Sequence, residues 1–268
     1  MIGILDSGIG GLTVAKTITD LLPTYDILYF GDTARAPYGA RSARTIIDDT
    51  IRNMDFLTGL GAKMVVIACS TTSSVAYAHV AEKFDVPVFE VISPAVASAV
   101  ETSKNQKFGV IGTRATIESR ACEKQILHLR PGAKVFSASG PLLTSLVEEG
   151  WVNKPETAMI VKKYLHPLKV RQVDTLILAC THYPVIKNII QRKIGKQVTL
   201  VDASDTVAAH VARFLEKHPE IDSQLTKNGS ARFVVSDLTA HGARTAKAIF
   251  KKNISLELVA ARASSKTP

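Results

Sequence analysis

The chain has no apolar run approaching the roughly 18 residues that would suggest a membrane span. Its opening, Met1-Ile2-Gly3-Ile4-Leu5, carries no basic stretch and no small-residue cleavage site, so it reads as a first strand and not as a signal peptide. Cysteine is scarce. Three in 268 residues, an odd number, make no disulfide framework and point to a reducing, cytoplasmic compartment in which they stay thiols. Neither C-x-x-C nor H-x-x-x-H occurs, so no metal spacing is present. The G-x-G-x-x-G dinucleotide fingerprint and the P-loop are missing too, which leaves no cofactor motif. Low-complexity sequence is absent, and only the small, polar tail 260–268 is expected to fray.

What is present is a chain 46% apolar, enough to bury one large or two medium domains. The net charge is +9 and unevenly spread, with 7 basic against 10 acidic residues in 1–100, 16 against 9 in 101–205 and 10 against 5 in 206–268. Such an excess can attract acidic partners. No nucleic-acid-binding motif accompanies it, so it reads as a solvated basic surface and nucleic acid is not an expected partner.

Continuous Val/Ile/Leu-rich runs near 2–6, 26–31, 63–69, 86–91, 107–112, 134–138, 174–180, 197–202 and 231–237 have the pattern of strands buried on both faces. Helix-length segments separate them, among them 12–22, 43–60, 72–84, 114–129, 185–193, 205–216 and 239–251. This alternation predicts an α/β fold with mostly parallel sheets flanked by helices. The chain also repeats itself. Ile2-Gly3-Ile4-Leu5-Asp6-Ser7 is similar to Phe108-Gly109-Val110-Ile111-Gly112-Thr113, and Val65-Val66-Ile67-Ala68-Cys69-Ser70-Thr71 to Leu176-Ile177-Leu178-Ala179-Cys180-Thr181-His182. The expected arrangement is two pseudo-symmetric domains with a cleft between them. The first comprises 1–97 with 206–268 returning to it and carries Cys69; the second comprises 98–205 and carries Cys180.

Parallel sheets bind ligands outside the carboxyl ends of their strands, at the point where strand order reverses. Cys69 and Cys180 both occupy such ends and can face one ligand from opposite sides. A lone cysteine there is ordinarily a small buried hydrophobe; the matched pair argues for chemistry. Each precedes a helix start, whose dipole is expected to lower a thiol pKa. Cys122, inside a helix, reads as structural. Asp6, in the glycine-rich turn Asp6-Ser7-Gly8-Ile9-Gly10-Gly11, either enters the crevice or caps the next helix. The loop Gly31-Asp32-Thr33-Ala34-Arg35-Ala36-Pro37-Tyr38-Gly39 offers hydroxyl, phenol and backbone N–H groups, or is an ordinary turn. His182 can relay a proton of Cys180, and one carboxylate of Glu148-Glu149 can reach it.

Together these residues resemble the glutamate racemases of the aspartate/glutamate racemase superfamily. The matching motifs are Asp6-Ser7-Gly8, Gly31-Asp32-Thr33-Ala34-Arg35 with Pro37-Tyr38-Gly39, Ala68-Cys69, Leu146-Val147-Glu148-Glu149-Gly150-Trp151 and Cys180-Thr181-His182-Tyr183-Pro184. The resemblance implies cofactor-independent interconversion of L- and D-glutamate for peptidoglycan, with Cys69 taking the Cα proton from D-glutamate and Cys180 from L-glutamate. Asp6 would assist Cys69, and His182 with Glu148 would assist Cys180. Asp6, Ser7, Tyr38, Gly39, Ser70, Thr71, Thr113, Thr181 and His182 would hold the substrate. A homodimer is also implied, and some members inhibit DNA gyrase, a partner the charge permits. Three positions depart from the family pattern: Ser70 stands for Asn, Ala179 for Gly, and Gly140 for Cys. Ser70 loses the amide's two donors, which keeps open an aspartate or broad-specificity racemase of the superfamily beside the glutamate reading. A regulatory, gyrase-binding protein with weak racemase activity is the other alternative.

Overall fold

The computed structural model describes residues 1–259; the tail 260–268 lies outside them. Among the described residues, ten strands form two all-parallel sheets. The first sheet contains β1 (Ile2–Asp6), β2 (Ile27–Gly31), β3 (Met64–Ile67) and β4 (Val88–Glu90). The second contains β5 (Lys107–Gly112), β6 (Lys134–Ser139), β7 (Thr175–Ala179) and β8 (Thr199–Asp202). The chain then returns to the first sheet through β9 (Ala231–Val235) and β10 (Leu256–Leu258). Strand order is β10-β9-β2-β1-β3-β4 in one sheet and β6-β5-β7-β8 in the other.

The repeat read from the sequence is therefore a repeat of topology. In each half the first strand lies centrally, the second pairs on one side of it and the third on the other. Ile2 to Leu5 of β1 pair with Met64 to Ile67 of β3, and Phe108 to Gly112 of β5 with Thr175 to Ala179 of β7. The order reverses between those two strands in both halves, which is where parallel sheets open a ligand crevice. Every residue of β1, β2, β3 and β7 is buried. That explains their unbroken aliphatic composition, because helices cover both faces.

One apolar cluster runs through both halves, from Ile2, Ile4 and Val66 to Val110, Ile177 and Val201. The expected boundaries, at 97/98 and 205/206, fall inside the helices Ile92–Thr102 and Ala203–Lys217. These two helices pack on each other where the chain passes between sheets. The buried Glu90 carboxylate fixes the start of the first by accepting the Ile92 and Ser93 amides.

The expected helix over 114–129 is two helices, Arg114–Ser119 and Ala121–Leu129, broken at Arg120 with φ +56°. The Arg120 side chain forks onto Glu123 at 2.7 and 2.9 Å, a local pairing that composition does not reveal. The segment 185–193 opens as a tight turn over Tyr183–Ile186 and continues as the helix Lys187–Ile194. Strand β10 is three residues long, too short for a periodic signal. Among the described residues no helix is long and apolar enough to cross a membrane.

Candidate active site

The two cysteines meet at one cavity of about 150 Å³ between the halves. The space suits a small ligand, below the roughly 300–1,000 Å³ typical of pockets for larger ones. Residues after β1 (Ser7, Gly8), after β3 (Cys69, Ser70, Thr71), after β5 (Thr113) and after β7 (Cys180, Thr181, His182) all line it. Tyr38, Gly39 and Glu148 complete the predicted residues along the wall. Asp6, at the end of β1, is buried behind it.

Cys69 is the residue from which the helix Ser70–Lys83 starts. Its sulfur lies 3.1 Å from Ser7 Oγ. The expected lowering of this thiol by the helix dipole does not prevail. Burial pushes the Cys69 pKa above its ordinary value, and the Asp6 charge adds to the rise; the Ser7 hydroxyl and the Thr72 amide oppose it. Burial likewise raises the Asp6 carboxyl, against the Gly11 and Gly8 amides and the nearby His182. Asp6 Oδ2 accepts the Gly8 amide at 3.0 Å, and the Gly11 amide, where the next helix starts, also favours its charge, so this carboxylate ties the glycine turn to the helix start. Ser70 Oγ is buried at the cavity and has no hydrogen-bond partner among the described residues.

On the opposite wall, Cys180 Sγ lies 3.8 Å from His182 Nδ1 and 3.7 Å from Thr144 Oγ1. His182 Nε2 stands 3.1 Å from Glu148 Oε1, a charge contact without the alignment of a hydrogen bond. Burial works to discharge this imidazole, but the Cys180 sulfur and the Glu148 carboxylate outweigh it and hold the His182 pKa well above the ordinary value. Glu148 is correspondingly lowered: burial raises it, yet His182 and the charge of His241 prevail. Of the two candidate carboxylates it is Glu148, not the exposed Glu149, that reaches the histidine.

Each thiol is thus buried, bordered by a hydroxyl, and associated with an ionisable group that can exchange a proton with it or answer its charge. Similarity to known proteins agrees with this arrangement. Residues 11–213 match the family model described as Asp/Glu/Hydantoin racemase. A glutamate racemase of Neisseria gonorrhoeae is 42% identical over 238 residues, 88% of this chain and 87% of that one. The chain belongs to the glutamate racemase family. Solved structures agree. The Bacillus anthracis glutamate racemase superposes with a TM-score of 0.91 at 34% identity, covering 97% of each chain. The Francisella tularensis glutamate racemase, in complex with D-glutamate, gives 0.90 at 35% identity, again over 97% of each chain.

The walls of this glutamate racemase family site are stitched together from both halves. Thr71 Oγ1 bonds Thr113 Oγ1 at 2.8 Å, and Thr113 also accepts the Thr116 amide at 3.3 Å to start the helix Arg114–Ser119. Thr13 Oγ1 donates to the Thr181 carbonyl at 3.2 Å. Two glycines allow the approach. A Cβ on Gly39 would come within 2.6 Å of Thr113 Cβ, and one on Gly10 within 2.5 Å of Thr181 and His182. The Tyr38 phenol is not offered to the cavity. It donates to the buried Asp32 at 2.6 Å, and Asp32 also takes Arg35 and Ser236. Tyr38 therefore belongs to the scaffold of its loop, whose Ala36, Pro37, Gly39 and Ala40 line the wall with it.

Sequence reasoning missed Arg114, Thr144 and Ser145, which also line the cavity. The signal was available for two of them. On the helix Pro141–Glu148, positions 141, 144, 145 and 148 share one face, with Leu143 and Val147 buried on the other. Counting back one turn from Glu148 finds Thr144 and Ser145.

Proposed function

We propose that the chain interconverts L- and D-glutamate by proton transfer at Cα between two thiols, supplying D-glutamate for the cell wall. The observation that carries this reading is the placement of Cys69 and Cys180 on one small cavity, each delivered by the corresponding strand of a repeated half. Glutamate is favoured over aspartate because the Neisseria gonorrhoeae, Bacillus anthracis and Francisella tularensis relatives, matched over 88% to 97% of this chain, are named for glutamate.

The chemical difficulty is a weakly acidic Cα–H. One sulfur must take the proton from one face while the other delivers a proton to the opposite face. Fixing both at the substrate removes an entropic barrier, and general acid–base transfer contributes roughly 10²–10⁴-fold. In our reading Cys69 takes the proton of D-glutamate and Cys180 that of L-glutamate. Asp6 and Cys69, buried close together, do not both hold charge readily, so the thiol proton has a carboxylate to pass to. His182, favoured in its protonated form beside Glu148, answers charge on Cys180. Ser7, Gly39, Ser70, Thr71, Thr113 and Thr181 surround the substrate, and hydroxyls and N–H groups near its carboxylate stabilise the charge that develops there. We also propose the homodimer that the family resemblance implies, to be checked by sedimentation.

The decisive measurement is incubation with L-glutamate in D₂O, following optical inversion and deuterium entry at Cα. Inversion with one solvent deuterium per turnover is expected. Cys69→Ala and Cys180→Ala should each abolish inversion; parent-like rates in either variant would overturn the two-thiol reading. Absence of inversion in the parent, with turnover of aspartate, would move the substrate assignment.

A further inference from the structure

The two thiols are supported alike in one respect that motif comparison does not show. Cys69 has a serine hydroxyl 3.1 Å from its sulfur, from Ser7 in the turn after β1. Cys180 has a threonine hydroxyl 3.7 Å from its sulfur, from Thr144. Thr144 comes from no corresponding position: it lies on the helix Pro141–Glu148, one turn before Glu148. The helix aims Thr144 at the sulfur and Glu148 at the histidine that flanks it. One rigid element thereby sets both neighbours of the second thiol.

We infer that Thr144 is a further catalytic residue, whose hydroxyl donates to the Cys180 sulfur when that sulfur is a thiolate. This rests on the proton-transfer reading above. The proton that moves is the one on Cys180, which goes to Cα or arrives from it; Thr144 keeps its own proton and supplies only the hydrogen bond. A hydroxyl is suited to this because it turns with the charge. It can donate to the thiolate, and it can accept from the thiol once the proton returns. His182 Nδ1 approaches the same sulfur at 3.8 Å. Cys180 thus has two polar neighbours, as Cys69 has Ser7 and the charge of Asp6. Thr144 is half-buried at the cavity wall, and valine matches its shape while removing the hydroxyl.

The test separates this role from the racemase reading by measuring the sulfur itself. In a Cys69→Ala background Cys180 is the cysteine left at the cavity. Cys122 is buried away from the cavity and its pKa is pushed up to about 12 chiefly by burial, so it stays unreactive at neutral pH. Iodoacetamide alkylation of Cys180 is followed by mass spectrometry against pH, with and without Thr144→Val and Thr144→Ser. A hydrogen bond to a charged group corresponds to roughly a tenfold effect or more. Thr144→Val should therefore slow alkylation at neutral pH about tenfold, with the deficit closing at high pH, and Thr144→Ser should restore it. Parent-like alkylation in Thr144→Val would overturn the inference. Equal slowing by Val and Ser would also overturn it, by assigning the effect to helix packing. If Thr144→Val does not fold, Thr144→Ala takes its place with the same two outcomes. In the otherwise intact enzyme, Thr144→Val should lower kcat/KM by a like factor in both directions. A chain that shows the alkylation pattern but no racemisation would refute the racemase reading and leave the thiol–hydroxyl pair standing.

Discussion

Removing the Ser7 hydroxyl is the sharpest perturbation of the Cys69 side. Its oxygen sits 3.1 Å from the sulfur of a thiol that burial and the Asp6 charge already hold above its ordinary pKa. Ser7 works against that rise. A hydrogen bond to a charged group contributes about 1.5–3 kcal/mol, and about 1.4 kcal/mol is a factor of ten. Ser7→Ala should therefore reduce the rate at neutral pH roughly 10- to 100-fold, by reducing the fraction of enzyme with a Cys69 thiolate. The sign fixes the pH dependence. Loss of a group that favours the thiolate raises the thiol pKa further, so the rising limb of the rate profile moves to higher pH by about one to two units and the deficit shrinks there. Enantiomers are equal in free energy, so kcat/KM must fall by the same factor in both directions, whereas the two kcat values are free to differ. Polarimetry or circular dichroism from each pure enantiomer, across pH, measures all of this. A variant within twofold of the parent with an unmoved rising limb would refute the role given to Ser7.

Gly39→Ala should drive a Cβ into Thr113 across the cleft, where 2.6 Å is available. Displacing the wall by the order of 1 Å should cost about 100-fold in kcat/KM while the far-ultraviolet spectrum stays that of the parent. Removing the charge of Glu148 tests its pairing with His182 through stability. The His182 pKa is raised, so its contribution is full below its unfolded value of 6.5 and is lost as pH rises through the folded one. The Glu148 pKa is lowered, so its contribution is full above 4.5 and is lost as pH falls through the folded value. The stability gap between parent and Glu148→Gln should be widest between pH 4.5 and 6.5, on the order of 1 kcal/mol for an ion contact with a partly exposed partner. Asp26 accepts the Asn228 and Ser230 amides and both their side chains, pinning the approach to β9 against β2. The Thr226 side chain first, then Ser230 and Asn228, hold its carboxyl far below the usual range. Asp26→Ala should lower the thermal midpoint at neutral pH, and the gap should close only in strong acid, as pH falls through the folded pKa.

The α/β class and the internal repeat were legible because strands buried on both faces must be continuously aliphatic and strand-end residues follow at fixed positions. β1 and β5 match the expected limits, and Cys69 and Cys180 fall one or two residues past β3 and β7. His182 and Glu148 were legible as a pair only in outline, since 34 positions of sequence separate residues that the structure brings to 3.1 Å. The break at Arg120 and the short β10 left no periodic signal.

The sequence by itself determined which atoms are available for chemistry: two thiols at matched strand ends, a carboxylate ending β1 and a serine after it, a histidine after Cys180. These depend on residue type and on local backbone geometry, which short stretches of chain encode. Only the tertiary structure decided their electrostatics. Burial beside Asp6 reverses the helix-dipole expectation at Cys69, Asp32 draws the Tyr38 phenol away from the cavity, and Thr144 reaches Cys180 from a different element. Desolvation and charge proximity depend on what packs around a group, and those neighbours come from distant parts of the chain.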